Sequence, residues 1–230
     1  HEDYYSAGAD LVTSNSFWTN RPKLELIGEG HRWEEYTKAS AKLAINARQS
    51  VNPKGYVAGG IAPPRQGDMG LEAMGDLREE FENQSRVLSD SGVDLILAEY
   101  VRSVEDAVIA VESCAVAGLP VFLGVCHVSN RGLMQRGETF TELTKALRGR
   151  KVDAVLLMCS SPDAISASLP RLREAFEGTV GAYANVGYAQ NPRFEASGKE
   201  SWHTIDDICS PSKYAEFTNE WKEIGASIIG

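Results

Sequence analysis

The chain has 230 residues, 43% hydrophobic and 24% charged, the balance of a folded globule long enough for one α/β barrel or two small domains. Lys and Arg number 23 against 32 Asp and Glu, a formal net charge of −9 without a basic stripe, which argues against nucleic acid as a partner. The four cysteines (Cys114, Cys126, Cys159 and Cys209) show no C-x-x-C spacing, which argues against a disulfide scaffold or a zinc knuckle and points to a reducing cytoplasm.

A short helix is expected over residues 1–7. Apolar runs then predict strands over 10–17, 56–61, 94–99, 121–126, 154–159, 180–185 and 226–229; most lack polar alternation, as parallel strands covered on both faces do. Helical stripes alternate with them: Leu77, Phe81, Leu88; Val104, Val108, Val111, Ala115; Phe140, Leu143, Leu147; Ile165, Leu169, Leu172, Phe176; and Tyr214, Phe217, Trp221, Ile224. The most apolar stretch, 107–126, is broken by Glu112, Gly118 and Pro120. It reads as helix then strand, and no membrane is expected as a partner. Gly92, Gly118, Gly149, Gly178 and Gly225 each follow a stripe, where a helix ends in a left-handed residue. Ser103 with Asp106 makes a capping-box pattern, and Ser161-Pro162 and Ser210-Pro211 read as helix starts.

Strict β/α alternation means a parallel sheet with right-handed crossovers. The expected fold is one (β/α)8 TIM-barrel domain over residues 1–230, lacking its first strand and C-terminal tail. The chain opens in a helix at His1 rather than Met, and seven strands leave two unpaired edges. A doubly wound open sheet is the alternative, disfavoured because no G-x-G-x-x-G turn follows an early strand.

Barrel enzymes work at the C-terminal ends of their strands. Those ends offer Asn15, Gly60 with Pro63, Glu99, Cys126-His127, Cys159 and Asn185. Glu99 closes an apolar run, where it either pairs with a loop cation such as Arg102 or binds ligand or transfers a proton. Cys159 precedes a helix start whose dipole favours a thiolate, though a lone strand-end cysteine is also a small core residue. Cys114 lies on its helical stripe and reads as core, and Cys209 carries no signal. At most one of Cys126 and His127 is expected to face a barrel interior, because adjacent strand residues alternate. His31 and His203 are expected in solvent. The connections 63–76 and 186–210 are long, and the aromatic residues Tyr188, Phe194 and Trp202 of the second fit a lid or a loose excursion equally.

Taken together, the segments resemble the homocysteine S-methyltransferase family, which includes the homocysteine-binding domain of methionine synthase and the betaine-dependent enzymes. His1 through Asp10 into Thr13-Ser-Asn-Ser-Phe17 is similar to the family's H-x-x-Y-x-x-A-G-A-D…T-N-T-F. Gly59-Gly-Ile-Ala-Pro63, Gly92 through Glu99, Cys159-Ser-Ser-Pro162, Tyr183-Ala-Asn185 and Gly225 through Gly230 follow in family order. The resemblance implies a barrel that binds Zn2+ through three thiolates and transfers a methyl group from a sulfonium, betaine or methylfolate-type donor to homocysteine, giving methionine. Cys159 matches the first ligand, and the other two are expected beyond Gly230. Glu99 matches the residue that holds the substrate's ammonium, and Asn15 and Asn185 are expected to bind substrate. Three thiolates leave a fourth zinc position on which the substrate thiol loses its proton and attacks the donor methyl. Homocysteine and a small methyl donor are thus the expected partners, with a homo-oligomer possible in this family. Met158, Tyr100 and Ala184 depart from the family's Asn, Thr and Pro. A metal-independent lyase or hydrolase using Glu99 as acid/base, or a non-catalytic ligand-binding barrel, are the alternatives.

Overall fold

The computed structural model describes residues 1–65, 74–185, 188–190, 202–204 and 209–230, with the two three-residue pieces described as backbone. The order is α1 (Glu2–Ser6), β1 (Leu11–Thr13), α2 (Arg21–Glu25), α3 (Trp33–Val51), β2 (Tyr56–Ile61), α4 (Leu77–Asp90), β3 (Leu95–Val101), α5 (Val104–Cys114) and β4 (Val121–Cys126). Then come α6 (Phe140–Leu147), β5 (Ala154–Met158), α7 (Pro162–Ala175), β6 (Thr179–Tyr183), β7 (Tyr188–Gln190), β8 (Trp202–Thr204), α8 (Pro211–Ile224) and β9 (Ile228–Ile229). All seven expected strands form, although β1 ends at Thr13 instead of reaching Phe17 and β3 runs past Glu99 to Val101, and the sheet runs in plain chain order, β1-β2-β3-β4-β5-β6-β9. A doubly wound sheet reverses its order at a switch point, so that alternative is excluded. The connection after β6 holds a feature that apolar runs did not foretell, the antiparallel pair β7/β8. Among the described residues no helix is long and apolar enough to cross a membrane.

The chain divides into two compact units. The first comprises His1–Val101, Glu105–Leu123 and Gly149–Asp153. Here β1 pairs with β2 (Leu11 with Tyr56) and β2 with β3 (Ala58 with Leu95), both in parallel. Its core is the fully buried set Val57, Ala58, Ile96, Ala98, Phe81 and Leu88. Asp94 pins the start of β3, accepting from the Val57 N–H at 2.7 Å and from Arg48 at 2.5 Å. The 19-residue α3 was not marked by any apolar stripe, because its buried face is Thr37, Ser40, Ala41, Ala44 and Ala47 while Leu43 faces solvent. Small residues let that helix lie close to the sheet, yet they leave no hydrophobic periodicity to read.

The second unit comprises Arg102–Val104, Gly124–Arg148 and Ala154–Gly230. β5 pairs with β6 (Ala154 with Thr179) and β6 with β9 (Gly181 with Ile228), again in parallel. Gly181 allows that last pairing: a Cβ there would lie 2.6 Å from the Ile228 carbonyl and 2.5 Å from Leu156. Ile165, Leu169, Leu172, Leu143, Phe140 and Trp221 cover the strands. Ser161 and Ser210 cap α7 and α8 as expected, each followed by proline, and Thr139 with Glu142 closes a full capping box on α6. Of the five expected left-handed helix ends, Gly178 is a correction. It lacks a positive φ, because α7 ends in extended Phe176 and Arg173 donates to the Phe176 and Gly178 carbonyls instead.

Candidate active site

In the first unit the strand ends are joined by hydroxyls. After β1 the chain turns sharply, and the Ser14 and Ser16 side chains share a hydrogen bond of 2.7 Å. Ser16 also donates to the Gly60 carbonyl at 2.7 Å, and the Gly60 N–H donates to Ser14 Oγ at 3.3 Å. Gln84 on α4 donates to the Ser16 carbonyl and to Thr19 Oγ1. Asn15, the expected substrate ligand of this turn, is the exposed residue between the two buried serines.

Glu99 on β3 is buried, 8% exposed. Gly60 on β2 leaves room for it, since a Cβ at that position would stand 2.9 Å from Glu99 Oε2 and 2.6 Å from the Thr13 methyl. The next residue, Tyr100, has φ +62, and its ring meets Phe17 edge-on at 5.6 Å. Phe17 in turn stacks on Trp18 at 6.1 Å, over which Lys23 Nζ lies 4.1 Å from the ring centre. A buried carboxylate and an aromatic face each suit a cationic group. Arg65, just past β2, forms a 2.5 Å ion pair with Asp106 in the first turn of α5, their side chains 5% and 10% exposed. That pair spans 41 residues and left no local sign in the sequence, where Asp106 reads as a capping residue.

In the second unit Cys159 follows β5 with φ +43 and is partly exposed. Its neighbour Ser160 is buried and joins three strand ends. Ser160 Oγ accepts from the Val128 N–H at 3.0 Å and donates to the Met158 carbonyl at 2.9 Å, and the Ser160 carbonyl accepts from the Asn185 N–H at 3.0 Å. Cys159 is therefore held on a fixed turn, two residues ahead of Ser161, whose side chain caps α7. Asn185 is half-buried just beyond β6. Cys126 and His127 are both buried, and the chain turns into the left-handed region at His127, φ +54. Burial pushes the Cys126 thiol up, against the pull of the neighbouring Arg102 guanidinium. Burial and the same guanidinium push the His127 imidazole down to about 3, leaving it neutral. Cys114 is core, its thiol pushed up by burial to about 12. His31 is exposed as expected, the His203 side chain lies outside the described residues, and Phe194 lies outside them altogether.

Tyr100, His127 and Cys159 are the described non-glycine residues with positive φ, and each stands at the C-terminal end of its strand, β3, β4 and β5. Such backbones cost on the order of 1 kcal/mol or more each and concentrate where function demands them. As to metal, Cys159 suits a thiolate ligand, but among the described residues no three His, Cys, Asp or Glu side chains converge on a common point. The residues present do not by themselves complete a three-thiolate site.

Comparison with known proteins identifies relatives of the chain. The chain is 24% identical over its whole length to homocysteine S-methyltransferase 1 of Zea mays, covering 77% of that protein. It is 26% identical over 152 residues to betaine–homocysteine S-methyltransferase 1 of Bos taurus, covering 64% of this chain and 37% of that one. Its fold is similar to that of the homocysteine methyltransferase MmuM from Escherichia coli in its metallated form, with TM-score 0.76, 20% identity, all of this chain and 77% of that chain covered. The model of the family described as homocysteine S-methyltransferase matches residues 1–230, so the chain belongs to the homocysteine S-methyltransferase family.

Proposed function

We propose that this chain transfers a methyl group from a cationic small-molecule donor to the thiol of homocysteine, giving methionine. The observation that carries the reading is the family match over the full length, together with a buried acid within β3 and a partly exposed cysteine following β5. Glu99 takes the substrate's ammonium, an assignment supported by its burial, which strengthens a charge pair. Asn185, half-buried beyond β6, and Asn15, exposed beyond β1, are the polar groups offered to the rest of the amino acid.

Zn2+ is the cofactor the resemblance implies, and Cys159 is the ligand this chain offers it; when bound, the ion supplies a lowered thiol pKa. The chain's own residues do the rest. Glu99 orients the substrate, and Ser160 holds the Cys159 turn through its bonds to Val128, Met158 and Asn185. In the reaction a carbon–sulfur bond forms to the homocysteine sulfur, which has given up its proton. The bond from the methyl carbon to the donor's positive atom breaks, and the electron pair stays with the leaving group. A sulfonium or quaternary ammonium donor is favoured over a methylfolate because Phe17 packs on Trp18 and on Tyr100, the residue after Glu99, an aromatic group suited to a diffuse cation.

The test is methionine formation by the full-length protein, carrying the complete thiolate set that the resemblance implies, with homocysteine, zinc and a panel of sulfonium, betaine and methylfolate donors. Turnover with a sulfonium or betaine donor, lost in Glu99→Gln, is expected. No turnover with any donor, or turnover that survives Glu99→Gln unchanged, overturns the proposal.

A further inference from the structure

The family triplet Tyr-Pro-Asn reads Tyr183-Ala184-Asn185 here, and the structure shows what the alanine permits. Proline has no N–H, whereas the Ala184 N–H donates to the Tyr214 hydroxyl at 3.0 Å. That hydroxyl donates in turn to the Gly230 carbonyl at the end of β9. One phenol thus uses its donor and an acceptor lone pair to tie the end of β6 to the end of β9, all within the second unit. Its ring is held in place: Tyr214 meets buried Trp221 edge-on at 5.7 Å, and Trp221 Nε1 is fixed on Ser166 at 2.9 Å. Burial raises the phenol's pKa, so it remains protonated and able to donate at neutral pH.

We infer that Tyr214 is a positioning residue for Asn185 and, through Ser160, for the Cys159 turn, restricting by a hydrogen bond a residue that a proline would restrict by its ring. The path is continuous. Tyr214 holds the Ala184 N–H, the adjacent Asn185 N–H donates to the Ser160 carbonyl, and Ser160 Oγ locks onto Val128 and Met158. A locked φ and a bonded N–H are two ways of restricting one residue, so each should substitute for the other. The functional half of this inference rests on the reading proposed above.

The experiment compares wild type, Tyr214→Phe, and Tyr214→Phe combined with Ala184→Pro. It uses two readouts: the exchange rate of the Asn185 amide, and KM against kcat for homocysteine. Tyr214→Phe is expected to speed Asn185 exchange and raise KM on the order of five-fold, the effect of losing one net hydrogen bond, with kcat changed less than two-fold. Adding Ala184→Pro is expected to restore both to within two-fold of wild type, although it removes one more hydrogen-bond donor. A merely structural tyrosine would not be rescued in this way. Unchanged Asn185 exchange in Tyr214→Phe, or no recovery in the double variant, overturns the inference. The amide readout needs no turnover, so it decides the clamp even if methyl transfer is not observed.

Discussion

Gly60→Ala probes the space that β2 gives to Glu99. The new methyl carbon would lie 2.6 Å from the Thr13 methyl and 2.9 Å from Glu99 Oε2, with the Ser14 carbonyl 3.4 Å away. The first contact is roughly 1 Å inside the separation at which two carbons pack, and Thr13, β-branched and stiff, cannot easily rotate away. Overpacking of this kind costs about 2 kcal/mol, or a melting midpoint about 4–8 °C lower for a chain of this size. The carboxylate is the freer of the two neighbours and will move, so kcat/KM for homocysteine should fall on the order of 10- to 100-fold. Gly59→Ala is the matched control, since its methyl would press 2.9 Å on Leu88 and 3.3 Å on Val93. It should lower the midpoint comparably and leave kcat/KM alone. Equal kcat/KM for the two variants, measured at matched folded fraction, would refute the view that Gly60 makes room for a working carboxylate.

Cys159→Gly relieves a left-handed backbone at φ +43 while deleting the proposed ligand. Methyl transfer should vanish with the melting midpoint changed by less than about 3 °C, and a large drop would count against strain at this residue. His127 is pushed down to about 3 from an ordinary 6.5. The unfolded chain therefore binds a proton between those values that the folded chain refuses, and stability should fall on acidification by about 1.4 kcal/mol per pH unit. His127→Asn, which tolerates φ +54, should flatten the denaturant midpoint between pH 6 and 4, and an unchanged slope would contradict the assignment. Arg65→Met leaves the Asp106 carboxylate without its buried guanidinium, a loss of about 3–5 kcal/mol. The Arg65→Met/Asp106→Leu pair should recover most of it in urea unfolding.

The strands were readable because covered parallel strands leave continuous apolar runs, and Glu99 stood out as the acid closing one such run, although β3 itself continues to Val101. Cys159 was readable for a different reason, the serine–proline helix start two residues later. What escaped was whatever lacks a local period. The α3 helix buries alanines and hydroxyls, the Ser14–Ser16–Gly60 weave depends on hydroxyl direction, and Arg65 finds Asp106 41 residues away. The left-handed turn at His127 gave no sign either, because an apolar run reads as extended backbone throughout.

The left-handed residues Tyr100, His127 and Cys159 also bear on how this scaffold tolerates sequence change. In a saturation library at positions 100, 127 and 159, chain handedness would act as a sieve ahead of chemistry. Glycine and asparagine should survive selection for soluble expression, while valine, isoleucine and threonine drop out at all three, whatever reaction the variants are later asked to perform.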